Sequence, residues 1–259
     1  MNKLTLVKIG GNLINHADQL DTFLTDFALL PEPKILVHGG GNKASALSHQ
    51  LGIKPQLVDG RRITFSADLD IVTMVYAGLI NKQIVALLQA KGCNAMGLSG
   101  ADANLITSVK RREQAINYGF VGDVKEVNTE SIQHLLQRDI SPVFCAITHD
   151  GAGQLLNTNA DTVAAEIAVA MSHYYELSLI YCFEKKGVLK EVDNPDSLIE
   201  QINKKDFQQL KSDKIIADGM LPKMDNCFYA LEKGVKKVII GGAQVVGNQS
   251  SQHTEISLK

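Results

Sequence analysis

The chain has 259 residues, of which 45% are hydrophobic and 21% are charged, so it can bury a substantial core and is not disordered as a whole. Its 26 Lys and Arg nearly balance its 28 Asp and Glu, which leaves a formal net charge of -2. No overall positive field therefore predicts nucleic acid or an anionic membrane as a partner, and any bound anion must be met by local groups.

Short runs rich in β-branched residues alternate with longer segments whose apolar residues recur at helical spacing. This alternation predicts an α/β fold around a largely parallel sheet. The expected strands cover residues 4–9, 34–37, 94–98, 142–147, 177–182 and 236–240.

Two helices are expected from apolar spacing and capping residues. Residues 68–91 predict one long helix with Ser66 as its N-cap, and its surface is a candidate for contact between subunits. Residues 162–171 predict a second helix, with Asn159 as cap and Asp161 in the first turn, where a negative charge suits the helix dipole.

Two further segments have a different pattern. Residues 105–127 read as short extended pieces separated by Gly119 and Gly122, which predicts hairpins across one end of the sheet. The polar, lysine-rich segment 195–212 predicts surface helices. Because no linker is evident, we expect two lobes in one continuous sheet.

The cysteines and the apolar runs bear on the compartment. The four cysteines are widely scattered, which predicts reduced thiols rather than a disulfide framework. The apolar start at residues 1–9 is too short for a signal peptide, and we expect no membrane-spanning segment elsewhere. These features predict a soluble cytoplasmic protein.

Glycines follow two of the expected strands. Lys8 precedes Gly10 and Gly11, and His38 precedes Gly39, Gly40 and Gly41. Glycine amides at a strand end can close on phosphate oxygens, and a nearby lysine adds positive charge. Taken alone, the first motif more often marks a tight turn with a surface lysine, but two such strand ends in one α/β chain favour a ligand site.

Three later motifs contain candidate binding groups. Arg62 lies in Gly60-Arg61-Arg62-Ile63-Thr64, and its planar fork can grip a carboxylate, although a solvated basic turn would look the same. Helix capping accounts for Asn159 but not for Asn157 or Asp161. Lys223 follows a turn at Asp218-Gly219-Met220 and on its own would be an exposed charge.

In this order the motifs resemble those of the amino acid kinase family, and within it the members that phosphorylate N-acetyl-L-glutamate. The resemblance spans nearly the whole chain. It implies a three-layer αβα sandwich with a central, mostly parallel sheet, the carbamate kinase-like fold. It also implies an N-terminal lobe, residues 1–172, for acylglutamate binding and dimerisation, and a C-terminal lobe, residues 173–259, for ATP.

The resemblance also implies roles for individual residues. Lys8 and Lys223 would stabilise the transferring phosphoryl group, and Asp161 would hold both lysines. Gly10 and Gly11 would bind phosphate. The implied substrate-binding residues are Gly40, Gly41, Arg62, which would grip the α-carboxylate, and Asn157.

The nucleotide lobe departs from the family's pattern, since the run from Cys182 to Leu189 lacks an Asp that is usual before a Gly-Val pair. The C-terminus is altered as well, with His253-Thr254 where a Gly-Thr pair is common. ATP is the implied co-substrate, with Mg²⁺ held mainly by its phosphates and no protein metal site. The implied nucleotide-binding residues are Glu184, Lys186, Gly187, Val188, Leu189, Ile216 and Ala217.

The implied reaction is phosphorylation of the side-chain carboxylate of N-acetyl-L-glutamate in arginine biosynthesis. Such a carboxylate is already ionised at neutral pH and needs no general base, which agrees with the lack of an obvious catalytic His or Cys. Three alternatives stay open: N-succinyl-L-glutamate as substrate, another phosphotransferase of the family acting on aspartate, glutamate, carbamate or UMP, and a sensor without turnover. Because the sequence begins at its first strand, we expect a homodimer without arginine feedback.

Overall fold

Strands and helices alternate along the chain in a computed structural model that describes residues 1–58, 61–113, 115–191, 193–217, 219–248 and 251–259. The strands are β1 (Lys3–Ile9), β2 (Lys34–His38), β3 (Gln56–Val58), β4 (Arg61–Ile63), β5 (Ala95–Leu98), β6 (Ile106–Lys110), β7 (Gly122–Val127), β8 (Ser141–Cys145), β9 (Ile147–His149), β10 (Leu155–Asn157), β11 (Glu176–Cys182), β12 (Gln201–Ile202), β13 (Lys237–Gly241) and β14 (His253–Ile256). The α-helices are α1 (Gly11–Asn15), α2 (Ala17–Leu29), α3 (Gly41–Gln50), α4 (Ser66–Thr73), α5 (Asn81–Ala90), α6 (Thr129–Leu136), α7 (Ala160–Ser172), α8 (Lys204–Ser212), α9 (Met220–Glu232) and α10 (Gln244–Gly247).

The central sheet contains all six runs predicted as strands. Among the described residues it has eight strands in the order β12-β14-β13-β11-β1-β2-β8-β5. Its neighbours pair in parallel except β13 and β14, which are antiparallel. Because β1 pairs with β11, the sheet continues across the boundary between the predicted lobes.

Helices cover both faces of this sheet. Every residue of β2 and β8 is buried, as expected for strands enclosed on two sides. One core cluster joins the sheet to α6, α7, α8 and α9, and a second joins it to α2, α3, α4 and α5. The predicted three-layer sandwich is therefore confirmed.

A smaller sheet, in the order β10-β9-β6-β7, accompanies the central one. Its β6–β7 pair is antiparallel, and β3 and β4 form a separate antiparallel pair. The predicted hairpin character of residues 105–127 is confirmed. Gly119 has a φ of 69° there, and a side chain would collide with the backbone of Thr64, so this position requires glycine.

The long predicted helix is present but differs at its start and its middle. Its N-cap is Phe65 rather than Ser66, because the side chain of Asp68 accepts a hydrogen bond of 3.2 Å from the Phe65 amide. A π-helical segment, Met74–Ile80, joins α4 to α5. Sequence periodicity did not reveal this segment, because a π turn adds a residue without removing the helical pattern.

This helical stretch also corrects the expectation that no apolar run could span a membrane. By length and composition Ser66–Ala90 could do so, with a mean hydropathy of 1.6 over its most apolar window, and no other helix in the described ranges passes that test. The window is 44% buried within the protein, and Ile71 and Ile84 belong to the core. Core helices of soluble proteins share these properties.

The capping predictions have mixed outcomes. The Asn159 side chain accepts hydrogen bonds from the amides of Asp161 and Thr162, so the predicted cap of α7 is confirmed. The prediction of helices throughout residues 195–212 is wrong for its first part, since only α8 is helical. Asn203 caps α8 by accepting a hydrogen bond from the Asp206 amide, and β12 precedes it.

Candidate active site

The carboxyl ends of β1 and β2 bring the two glycine motifs side by side. A side-chain carbon built on Gly11 would lie 3.8 Å from the backbone nitrogen of Gly41. Gly40 precedes α3 and has no room for a side chain, which would collide with Tyr76 and Ile80. The first amides of α3 have no partner within their own helix, so they are suited to bind an anion here.

His38 leads into the second glycine motif and is fully buried. Its Nδ1 atom lies 2.8 Å from the carbonyl oxygen of Gly39, and its Nε2 atom lies 3.1 Å from Nδ2 of Asn81. Burial lowers the pKa of His38 from 6.5 to about 4. A neutral imidazole with its proton on Nδ1 would donate to Gly39 and accept from Asn81, and would thereby orient the loop.

Two lysines meet one carboxylate. The Nζ atom of Lys8 lies 2.6 Å from Oδ1 of Asp161. The Nζ atom of Lys223 lies 3.2 Å from Oδ1 and 3.1 Å from Oδ2 of the same side chain. The structure thus brings together residues from β1, α7 and α9 that the sequence analysis grouped only through a resemblance.

Burial and charge act in opposite directions on this cluster. Burial alone would raise the pKa of Asp161, but the charges of Lys8 and Lys223 outweigh it and hold the pKa well below its usual range. Burial lowers the pKa of Lys8 from 10.5, and the charge of Asp161 opposes that change. The Asp161 carboxylate therefore stays ionised between the two lysine side chains.

A cavity of about 360 Å³ opens beside Lys8. Its walls come from both glycine motifs, from β4 and β10 and from the π-helical segment. The lining residues are Lys8, Gly11, Asn12, Gly39, Gly40, Gly41, Asn42, Ser45, Leu57, Arg61, Arg62, Tyr76, Arg111, Val121, Ala146, Asn157, Thr158, Asn159, Ala160 and Glu184.

Arg62 contributes a buried cation to this cavity. Its side-chain Nη2 donates to the carbonyl oxygen of Gly41 at 3.2 Å and to Oγ of Ser45 at 2.6 Å. Arg62 is 7% exposed, and its Nη1 atom has no hydrogen-bond partner within the described ranges. A buried donor without a partner is costly, so this nitrogen is suited to bind an anionic ligand.

Asn157, at the end of β10, also lines the cavity. Its Nδ2 atom donates to Oγ1 of Thr64 at 2.9 Å, and Asn157 is buried. This bond fixes the amide against Thr64, which directly follows β4, the strand that carries Arg62. The amide and the guanidinium therefore face one cavity from elements distant in sequence.

Three residues of the site were missed in the sequence analysis. Ser45 holds Arg62, Thr64 holds Asn157, and Tyr76 packs beside Gly40. Burial raises the pKa of Tyr76, and the charge of Arg62 opposes that change. A turn of α3 after Gly41 could have indicated Ser45, whereas Tyr76 looked like one apolar position among many.

The residues implied to bind nucleotide differ in their exposure to solvent. Glu184 lines the cavity, whereas Val188 and Ile216 are core side chains and Leu189 is also buried, so only their backbone could meet a ligand. Lys186 bonds to Gln252, and Ala217 is exposed.

Close packing explains one of these glycines. A side chain at Gly187 would collide with Thr254, whose hydroxyl accepts a 2.8 Å hydrogen bond from the Val188 amide. A side-chain carbon built on Gly10 would lie 3.8 Å from the carbonyl oxygen of Cys182, at the end of β11. Gly60 and Asp218, which belong to two of the sequence motifs, lie outside the described residues.

The acidic side chains of the site bear on whether the protein itself could hold a metal ion. Within the described ranges, no group of three or more His, Cys, Asp and Glu is arranged to hold a metal ion. The Asp161 carboxylate is already shared by two lysines. A divalent cation at this site would therefore depend on ligand phosphates for its coordination.

A doubly covered parallel sheet with paired ammonium groups beside an anion cavity is typical of an α/β phosphotransferase. The model of the amino acid kinase family matches residues 3–242, so the chain belongs to the amino acid kinase family. The family resemblance expected from the motifs is confirmed.

Curated relatives match the chain over nearly its full length. The acetylglutamate kinase of Cytophaga hutchinsonii is 52% identical over 260 residues, which cover 100% of this chain and 98% of that protein. The acetylglutamate kinase of Bacteroides thetaiotaomicron is 48% identical over 244 residues, 94% of this chain and 95% of that protein.

Solved structures share the fold at low identity. N-acetylglutamate synthase from Neisseria gonorrhoeae, complexed with coenzyme A and N-acetyl-glutamate, has a TM-score of 0.82 at 20% identity and covers 99% of this chain and 59% of that chain. Carbamate kinase from Giardia lamblia bound to AMP-PNP has a TM-score of 0.72 at 13% identity, and the match covers 100% of this chain and 99% of that chain. These likenesses concern the fold alone, and the carbamate kinase-like fold is confirmed.

Proposed function

We propose that the protein transfers the γ-phosphoryl group of ATP to the side-chain carboxylate of N-acetyl-L-glutamate, a step of arginine biosynthesis in the cytoplasm. The observation that carries this proposal is the convergence of Lys8 and Lys223 on Asp161, next to a cavity with a buried guanidinium. The curated relatives named acetylglutamate kinase support it.

The chemistry requires little beyond positioning and charge. An oxygen of the substrate carboxylate forms the new bond to the γ-phosphorus while the bond from that phosphorus to the bridging oxygen of ADP breaks. Because a glutamate side chain has a pKa of about 4.3, it is ionised at neutral pH and no base need remove a proton. The products are an acyl phosphate and ADP.

The ammonium groups of Lys8 and Lys223 would face the charge that spreads over the phosphoryl oxygens in the transition state. Asp161 would hold both at a fixed separation. When bound, Mg²⁺ would add positive charge on the nucleotide phosphates, which would be its main ligands.

Arg62 and Asn157 would orient the substrate. The free Nη1 of Arg62 is suited to the α-carboxylate, and Ser45 fixes the guanidinium so that little entropy is lost on binding. The glycine amides at Gly11 and Gly40 would complete the anion site. We also propose that the N-terminal lobe, residues 1–172, binds the acylglutamate and that the C-terminal lobe, residues 173–259, binds ATP.

The direct test is trapping of the acyl phosphate with hydroxylamine, with ADP measured in parallel. We expect N-acetyl-L-glutamate to give stoichiometric hydroxamate and ADP, and free glutamate, aspartate and carbamate to give neither. Turnover of free glutamate alone would overturn the proposal, as would ligand binding without ADP release.

A specific observation favours a second candidate substrate, N-succinyl-L-glutamate. Arg61 and Arg111 line the same cavity as Arg62, so a second carboxylate on the acyl group could meet a cation there. Arg111 already pairs with Asp123, which leaves Arg61 as the better candidate. If the succinyl compound is the substrate, Arg61→Gln should reduce its turnover at least tenfold and spare that of the acetyl compound.

The proposed assembly is a homodimer formed through the long helix. Met74 and Leu79 on this helix are 53% and 49% exposed, and Met96 on the edge strand β5 is 41% exposed. Exposed apolar side chains beside an open sheet edge are typical of an interface. Sedimentation should give a dimer, and Leu79→Asp combined with Met74→Asp should give a monomer, whereas Leu29→Asp, at another exposed position, should not.

The proposed cytoplasmic location agrees with the thiols. Cys93, Cys145, Cys182 and Cys227 are all buried and free. Burial raises the pKa of Cys182 to about 12, so this thiol is poorly reactive.

A further inference from the structure

Tyr181 lies beside Lys8 in the central sheet. The two residues are in register in the parallel β1–β11 pair, so their side chains point to the same face. Leu4 and Leu6, which precede Lys8 on that face of β1, belong to the same core cluster as Tyr181. Tyr181 is fully buried and is the last core residue of β11 on this face.

Two contacts connect Tyr181 to the charged cluster. Its hydroxyl donates a 3.0 Å hydrogen bond to the backbone carbonyl oxygen of Asp161. Its ring centroid lies 5.4 Å from Nζ of Lys223, within the range of a cation–π interaction. The Tyr181 side chain therefore contacts both Asp161 and Lys223, and Tyr181 is the neighbour of Lys8 in the sheet.

The Asp161 peptide is held from two directions. Asn159 accepts a 2.8 Å hydrogen bond from the Asp161 amide, while Tyr181 donates to the Asp161 carbonyl oxygen. A carboxylate is attached to its backbone by only two rotatable bonds, so a fixed backbone position limits where its oxygens can lie. The separation of Lys8 and Lys223 depends on those oxygens.

We propose that Tyr181 is a positioning residue, which fixes Asp161 through its hydroxyl and Lys223 through its ring so that the two ammonium groups are aligned for phosphoryl transfer. This inference rests on the proposed function. The phenol has no role in proton transfer, and Tyr181 is not among the residues that line the cavity. The hydroxyl can be removed alone, and the ring can be removed together with it, so the two contributions can be compared.

The test compares Tyr181→Phe, which removes only the hydroxyl, with Tyr181→Leu, which also removes the ring. A misplacement of about 1 Å can reduce turnover about a hundredfold, so we expect kcat to fall about tenfold for Phe and about a hundredfold for Leu. The KM values for acylglutamate and ATP should change less than about twofold, because Arg62 and the glycine amides are unaltered.

The matched control is Tyr229→Phe. Tyr229 on α9 donates a 3.2 Å hydrogen bond to Glu166 on α7, so it joins the same two helices but does not touch the charged cluster. This variant should retain wild-type kcat and should match Tyr181→Phe in thermal stability. An equal loss of kcat in both variants would mean that helix packing alone is responsible, and would overturn the proposal.

A second readout does not require turnover. NMR of ¹⁵N-labelled lysine side chains should resolve the buried ammonium groups of Lys8 and Lys223. Tyr181→Phe should shift both signals, and Tyr181→Leu should broaden that of Lys223, while Tyr229→Phe should leave both unchanged. If the wild type forms no acyl phosphate, the proposed function fails, but these signals still test the positioning role of Tyr181. That role would be refuted if Tyr181→Phe left both lysine signals and kcat unchanged.

Discussion

The Nζ atom of Lys8 lies 2.6 Å from Oδ1 of Asp161, so the end of the first strand is joined directly to the first turn of α7. Lys8 is 7% exposed, and a buried ammonium group requires such a partner. Since Lys223 shares the carboxylate, one acidic side chain organises two cations.

Asp161→Asn should lower kcat on the order of a hundredfold, because a neutral amide cannot hold two ammonium groups close together. The apparent melting temperature should fall as well, since the variant leaves buried cations without a counter-charge. Steady-state kinetics and thermal unfolding measure the two effects. Asp225→Asn, at an exposed position of α9, should change neither.

Lys8→Gln and Lys223→Gln should each reduce kcat about a hundredfold, which corresponds to about 3 kcal/mol of transition-state stabilisation. In the double variant, the fold reduction in kcat should be smaller than the product of the two single reductions, because both lysines act on one phosphoryl group. The hydroxamate assay measures all three. Lys205→Gln on the surface of α8 is the control, and strictly multiplicative losses would contradict a shared role.

Arg62→Lys should raise the KM for acylglutamate about tenfold or more and should change kcat by less than about threefold. Lysine preserves the charge but cannot replace both the bond to Ser45 and the free Nη1 donor. The KM for ATP should stay constant. A rise in the KM for ATP of the same size would place Arg62 in the nucleotide site instead, and Arg138→Lys at an exposed position should alter neither constant.

His38 should make stability depend on pH. Its pKa is about 4 in the folded protein, below the 6.5 of the unfolded chain, so the unfolded state binds more protons between these values. The contribution of His38 to the free energy of unfolding is complete above pH 6.5 and is lost as the pH falls toward 4. Between pH 8 and pH 5 the free energy of unfolding should fall by roughly 2 kcal/mol from this group.

Urea unfolding at these two pH values tests the effect. His38→Gln should be less stable at pH 8 but should lose less stability on acidification than the wild type. His134→Gln, at an exposed position, should retain the wild-type difference. An unchanged pH dependence in His38→Gln would show that the imidazole is not buried in its neutral form.

Local patterns were sufficient for much of the fold. The six central strands followed from short β-branched runs, and the start of α7 followed from Asn159 as a cap, because periodicity and capping depend on neighbours in sequence. The same logic failed at Ser66, since the bond that caps α4 comes from Asp68 three residues after Phe65.

Only part of the candidate site could be predicted from the sequence. Lys8, Asp161 and Lys223 could be named because their motifs occur together in a known order, but spacing contains no information about their mutual distances. Tyr76 and Tyr181 gave no signal at all, because each looks like an ordinary core residue until packing brings it against Gly40 or Asp161. Composition and periodicity follow from the chain alone, whereas a charged cluster requires distant segments to be packed together, since burial and the distances between charges exist only in the folded protein.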